Sequence, residues 1–132
     1  MMRFVLRLIS AFTALAVVMT AALALQFVTN DRMGALLSIG IFGLLTLTDW
    51  MLTILVGPFA AVQLWRLRPS GRRATVLLAA FGALYYLSGL LLFRGPGTNT
   101  MVVVIMLVIH AAVLAFLLSA PAKSQCGEGA SP

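Results

Sequence analysis

Acids are almost missing from this chain: Asp31, Asp49 and Glu128 are the only three in 132 residues. Charged residues as a whole make up 9% of the sequence and hydrophobic residues 62%, against about 25% and 45–50% in soluble domains. So little polar surface cannot cover a water-soluble globule, which leaves a bilayer as the solvent. There is one cysteine and one histidine. A tetrahedral zinc site within one chain is therefore excluded, and so is an intrachain disulfide. A bis-histidine haem would need two copies, each donating His110. No P-loop, no G-x-G-x-x-G and no Ser/His/Asp or Cys/His set is present. These absences point to a non-enzymatic protein with no catalytic residues, no metal and no cofactor.

What is there is arginine, placed at the edges of apolar runs. The net charge is +6, yet no basic stripe interleaved with aromatics exists, so nucleic acid is not an expected partner. Four runs reach the roughly 20 apolar residues that a span needs. They cover residues 4–28, 33–65, 74–93 and 101–120, separated by "TNDR", "RLRPSGRR" and "RGPGTNT". Pro69, Gly71 and residues 95–97 are the expected helix stops. Alternation of period two is missing, which argues against a transmembrane barrel. The expected fold is an all-α polytopic bundle of four spans over residues 1–120, followed by a disordered cytoplasmic tail at 121–132. Cys126 in that tail reads as an inert thiol rather than a lipid anchor. The first run is longer than the apolar core of a signal peptide, so residues 1–24 are expected to be retained.

Orientation follows from the positive-inside rule. With both termini in the cytoplasm, Arg3, Arg7, Arg66, Arg68, Arg72, Arg73 and Lys123 face inward, while Arg32 and Arg94 face out. Topology alone accounts for the cluster at Arg66, Arg68, Arg72 and Arg73; contact with anionic lipid is its functional alternative. The Ala/Leu/Arg-rich composition suggests a bacterial inner membrane. Small multidrug transporters share the span count but carry a glutamate in the first span, which has no acid here. Small fluoride channels share it too, but their Gly-Asn and Thr/Ser-Phe motifs are missing.

The second run is too long for one perpendicular span. A continuous helix over 33–65 would extend about 50 Å, against a hydrocarbon core of about 30 Å. One arrangement is a tilted or kinked continuous helix. The other is a break at Thr48-Asp49 with Asp49 as N-cap, residues 33–48 lying on or dipping into the membrane, and Trp50 and Trp65 at the two interfaces. Projected at 100° per residue, Ser38, Thr46, Thr53 and Gln63 fall within about 60° of Asp49, which favours a helix running through it.

A charge at the bilayer centre costs at least about 2.5–3.5 kcal/mol, so a deep Asp49 needs a proton or a partner. His110, near the middle of the fourth run, is the only other ionisable side chain inside an apolar core. A hydrogen-bonded Asp49–His110 pair would make a proton-linked site. In the structural alternative, Asp49 caps a helix and His110 donates to a backbone carbonyl. The third run aligns Thr75, Ala79, Gly82, Tyr86 and Gly89 on one face, the pattern by which helices pack closely in lipid. Tyr85-Tyr86 would alternatively line a pocket for a headgroup, quinone or pigment. Three functions follow in order: an accessory or assembly subunit packing on other membrane proteins or itself, a proton-linked carrier or channel using Asp49 and His110, and a quinone- or pigment-binding subunit.

Overall fold

A computed structural model describes residues 1–92 and 99–128. Among these, every regular element is an α-helix: α1 (Met2–Thr29), α2 (Met33–Ser38), α3 (Ile41–Trp65), α4 (Pro69–Leu92), α5 (Thr100–Leu118) and α6 (Ala120–Gln125). Helices α1, α3, α4 and α5 are long and apolar enough to cross a bilayer. The protein is a multi-pass membrane protein with four candidate spans. Residues 95–97 and Arg94 lie outside the described residues.

The overlong second run is resolved by a break, but at Gly40 rather than at Asp49. Gly40 has φ 71° and ψ −133°, a conformation open essentially to glycine alone. The chain turns there, and α2 folds back over the start of α3. Gly43 permits this: a Cβ on it would run into the Leu36 carbonyl oxygen. What remains, α3, is 25 residues, or about 37 Å. The region expected as one element from 33 to 65 is therefore two helices, and Asp49 is an interior residue of the second, not its cap.

The other boundaries shift for capping reasons. Pro69, expected as a stop, is the first residue of α4, where its missing N–H costs nothing. The turn between α3 and α4 thus shrinks to three residues, with Leu67 at φ 55°. The N–H of Leu67 donates to the Leu64 carbonyl at 2.9 Å and that of Arg68 to the Gln63 carbonyl at 2.9 Å. This is the paired closure of a Schellman turn. Asp31, at φ 53°, ends α1 by the same pattern, with Arg32 donating to Phe27.

Packing follows the order α1, α3, α4, α5, each helix lying against the next. Ser10 donates from Oγ to the Ala61 carbonyl at 2.6 Å, tying α1 to α3. Gly57 of α3 lies against Val17, and Phe27 meets Trp50 edge-on at 5.2 Å between centroids. Trp50 is thus an inter-helix contact, whereas Trp65 is exposed with the Arg7 guanidinium over its ring. Gly71 of α4 reaches the backbone of Gln63 and Leu64 so closely that no Cβ would fit.

Residues 121–128 are ordered, contrary to the expected disorder of the tail. Pro121 sits in the first turn of α6, and Gly127 closes the helix at φ 77°, its N–H donating to Ser124 and that of Glu128 to Lys123. This is a third Schellman turn, with glycine in its favoured place. It aims Glu128 at α4, where its carboxylate bridges Arg72 and Arg73. Arg72 also donates from Nη1 to the Leu117 carbonyl at 2.9 Å, and Arg3 donates to Gln125 at 3.0 Å. Leu6, Leu64, Leu117, Ala122 and Cys126 form the buried cluster beneath. Helix α6 therefore seals the arginine-rich end between α1 and α5.

Replacing Ser10 with alanine removes the inter-helix bond and should lower unfolding free energy in detergent by about 0.6–1.7 kcal/mol; unchanged stability would show that the bond contributes nothing. A second expectation concerns Glu128. Burial pushes its carboxyl up, but hydrogen bonds and charge from Arg72 and Arg73 outweigh this and hold it below the ordinary glutamate range. A lowered value in the docked state stabilises docking above that ordinary range, and the stabilisation is lost as pH falls through the docked value. Hydrogen-exchange protection of α6, corrected for intrinsic rates, should fall on acidification below the ordinary glutamate range. Protection that ignores pH would mean that the ion pair does not hold the helix.

Candidate functional site

On α3, Phe42, Thr46 and Asp49 lie at helical spacing and share the face towards α4 and α5. Asp49 is four residues, or about 6 Å, from the helix midpoint at Thr53. His110 lies within one residue of the midpoint of α5. Both candidate ionisable groups thus belong to the middle of their helices.

Helix α4 supplies what lies between them. The Thr46 hydroxyl donates to the Phe42 carbonyl at 2.9 Å, which uses its only hydrogen. The Tyr85 hydroxyl, 3.1 Å from Thr46 Oγ1, is therefore the donor in that second bond. Tyr85 stacks on Phe42 at 5.4 Å, meets Tyr86 edge-on at 5.1 Å, and Tyr86 leans on His110 at 5.2 Å. The row Phe42, Tyr85, Tyr86, His110 crosses from α3 to α5.

His110 Nδ1 lies 2.7 Å from the Met106 carbonyl. A carbonyl only accepts, so Nδ1 carries the proton and Nε2 of the neutral ring is the acceptor. That ring lies against Gly82, where a Cβ would collide with it. Asp49 is half-buried. It makes no hydrogen bond or ion pair with a described residue, although it is close enough to interact electrostatically with His110, Tyr85 and Tyr86. The direct Asp49–His110 hydrogen bond considered from sequence is not formed.

The remaining candidates separate into groups. Thr53 is half-buried on α3 beside Gly57. Gln63 lies about 21 Å further along that helix from Asp49, with a buried Oε1 that has no partner. Ser38 is beyond the break, exposed on α2, and donates to Ala35. Thr75, Ala79, Gly82 and Gly89 are buried along α4, and Tyr86 is half-buried beside them. Of the arginines, Arg66 and Arg68 are exposed, while Arg72 and Arg73 hold Glu128. Sequence reasoning missed Phe42 and the Thr46–Tyr85 link, because each needs the register between α3 and α4. It also missed Glu128, although "SAPAKSQCGE" carries an early proline and a closing glycine, the signals of a short capped helix.

Among the described residues, no three of His, Cys, Asp and Glu converge as metal ligands. Two hollows on the surface are shallow. One is an apolar groove along the outer face of α3 by Leu47, Met51 and Leu55, the other a seam between α1 and α3 by Ala14 and Ala61. Neither is lined by Asp49 or His110. Comparison with protein-family models, curated proteins and solved structures returned no match.

Gly82 and Gly89 of α4 make opposite tests. Gly82→Ala must displace His110 and should cost about 1–3 kcal/mol. At Gly89 a Cβ would sit 3.6 Å from the Phe42 ring, an ordinary contact, so Gly89→Ala should be neutral or, through helix propensity, stabilising by up to about 1 kcal/mol. Equal effects in equilibrium unfolding would refute the placement of His110 over Gly82.

Proposed function

We propose that the protein is a small, non-enzymatic, proton-linked carrier or channel, acting as an oligomer, with Asp49 and His110 as its protonatable site. The observation that carries this reading is the isolation of Asp49: a carboxylate in the middle of a candidate span, facing His110, with no hydrogen-bonded or ionic partner among the described residues. A group so placed is costly as a bare charge in lipid, so its state is tied to the presence of a proton or a cation. His110 offers Nε2 as an acceptor because Nδ1 is committed to Met106. The arginine distribution and the Ala/Leu/Arg-rich composition support a bacterial inner membrane as the setting, with both termini in the cytoplasm.

A second reading, that of an accessory or assembly subunit packing on other membrane proteins or on itself, is favoured by one observation. Two shallow hollows, one on the outer face of α3 and one at the seam of α1 and α3, are open to a neighbour and are not lined by the ionisable pair.

Reconstitution into vesicles with an internal pH dye separates the two. Under the first reading the wild type passes protons down an imposed gradient, and Asp49→Asn abolishes this while keeping the wild-type elution volume and helix content. Wild-type vesicles no leakier than empty ones, or Asp49→Asn vesicles as leaky as wild type, would sink it. The second reading expects Asp49→Asn to be mild and a cysteine replacing Met51, in a Cys126→Ser background, to cross-link to a neighbouring chain in native membranes.

A further inference from the structure

At the arginine-rich end, Arg72 and Arg73 together hold the Glu128 carboxylate. Arg72 is only 7% exposed, and its three guanidinium nitrogens fare differently. Nη1 is spent on the Leu117 carbonyl, Nη2 meets Glu128 Oε2, and Nε is buried with no partner. Arg73 donates from Nε to Glu128 Oε1 at 2.7 Å. Nε and Nη2 of Arg72 share one edge of the guanidinium, the edge that grips an oxyanion with two parallel bonds. Glu128 satisfies two of the three donors, Arg72 Nη2 and Arg73 Nε, and leaves Arg72 Nε buried and unmet.

A phosphate group fits that surplus. Its oxygens can meet Arg72 Nη2, Arg72 Nε and Arg73 Nε together. The site lies beside the exposed Arg66 and Arg68, at the end of the spans where lipid headgroups gather. Each juxtamembrane arginine gains about 1 kcal/mol near anionic lipid. We propose that Arg72 and Arg73 form a binding site for the phosphate of an anionic lipid headgroup, for which the Glu128 carboxylate is the intramolecular stand-in. Lipid phosphate and the tail then compete for the same donors. When lipid wins, Glu128 is released and α6 loses its main polar tether, with Arg3–Gln125 left as the other.

The molecule carries its own reporter. Cys126 is the single cysteine of the chain, 1% exposed beneath the docked α6, so its modification requires α6 to lift. The test uses the full chain in phosphatidylcholine vesicles with and without phosphatidylglycerol, and reads the rate of Cys126 labelling by an uncharged maleimide. Labelling should be slow in phosphatidylcholine and several-fold faster with phosphatidylglycerol. Glu128→Gln should label fast in both, which also corrects for any effect of the charged surface on the thiol. Glu128→Asp keeps the charge and should respond to lipid as wild type does, with a weaker latch. A wild-type rate indifferent to phosphatidylglycerol would overturn the proposal. So would a Glu128→Gln rate as slow as wild type. Inorganic phosphate added to phosphatidylcholine vesicles at constant ionic strength should have little effect; acceleration equal to that by phosphatidylglycerol would assign the site to a soluble anion instead.

Discussion

Close approach of α4 to both of its neighbours is the constraint on which the rest depends. In lipid there is no hydrophobic drive between helices, so contact must come from surfaces that fit. Gly71, Thr75, Ala79, Gly82 and Gly89 keep one side of α4 almost free of bulk, and all five are buried. Gly71 lets α4 start against the last turn of α3. Gly82 leaves room for the imidazole of His110, which fixes where α5 lies. Beside Gly89 the Phe42 ring packs with room to spare, and it stacks on Tyr85, which reaches Thr46. Remove that narrow face and neither the aromatic row nor the grip of Arg72 on the end of α5 could form.

The three acids illustrate how differently one chemistry is handled when charge is scarce. Asp31 occupies a turn with positive φ, which a short polar side chain tolerates better than most. Glu128 answers two arginines at the end of the bundle, one buried and one exposed. Asp49 has neither excuse. It is half-buried in the middle of α3, near enough to Tyr85, Tyr86 and His110 to interact electrostatically but bonded to none of them. Structure accounts for the first two carboxylates. The third is the one acid inside a candidate span, and its carboxylate has no hydrogen-bonded or ionic partner among the described residues, which is why the functional reading centres on it.

Hydropathy made the four spans legible, since each is a long apolar run bounded by charge and turn residues. The helical projection through Asp49 was also informative: Thr46 and Thr53 do flank it on α3. The same projection misled at Ser38, because a regular angular step continues on paper across a backbone break. Only the conformation of Gly40 shows that α2 turns back onto the start of α3. Pro69 was misread for the opposite reason, as a residue that stops helices in their interior is the preferred opener of a new one. The tail was judged by composition, and "PAKSQCGEG" does resemble disordered sequence. Its order comes from a partner far away in the chain, Arg72, and no local pattern reveals a contact across 56 residues.

The aromatic row and the arginine clamp sit on the same helix yet work under different physics. Asp49 and His110 belong to the middle of candidate spans, where a charge gained or lost is poorly screened and its consequences are large. Around Glu128 one carboxylate oxygen meets an exposed arginine, Arg73, with 74% of its side chain accessible, and that half of the bridge is open to screening and exchange. The other half rests on Arg72, whose burial makes its charge expensive unless an anion is present. An anion is therefore required at this end of the bundle, while the identity of that anion is left free. A structural salt bridge needs a particular partner. A site that demands only a negative charge with enough oxygens is, in chemical terms, a binding site that happens to be filled by its own chain.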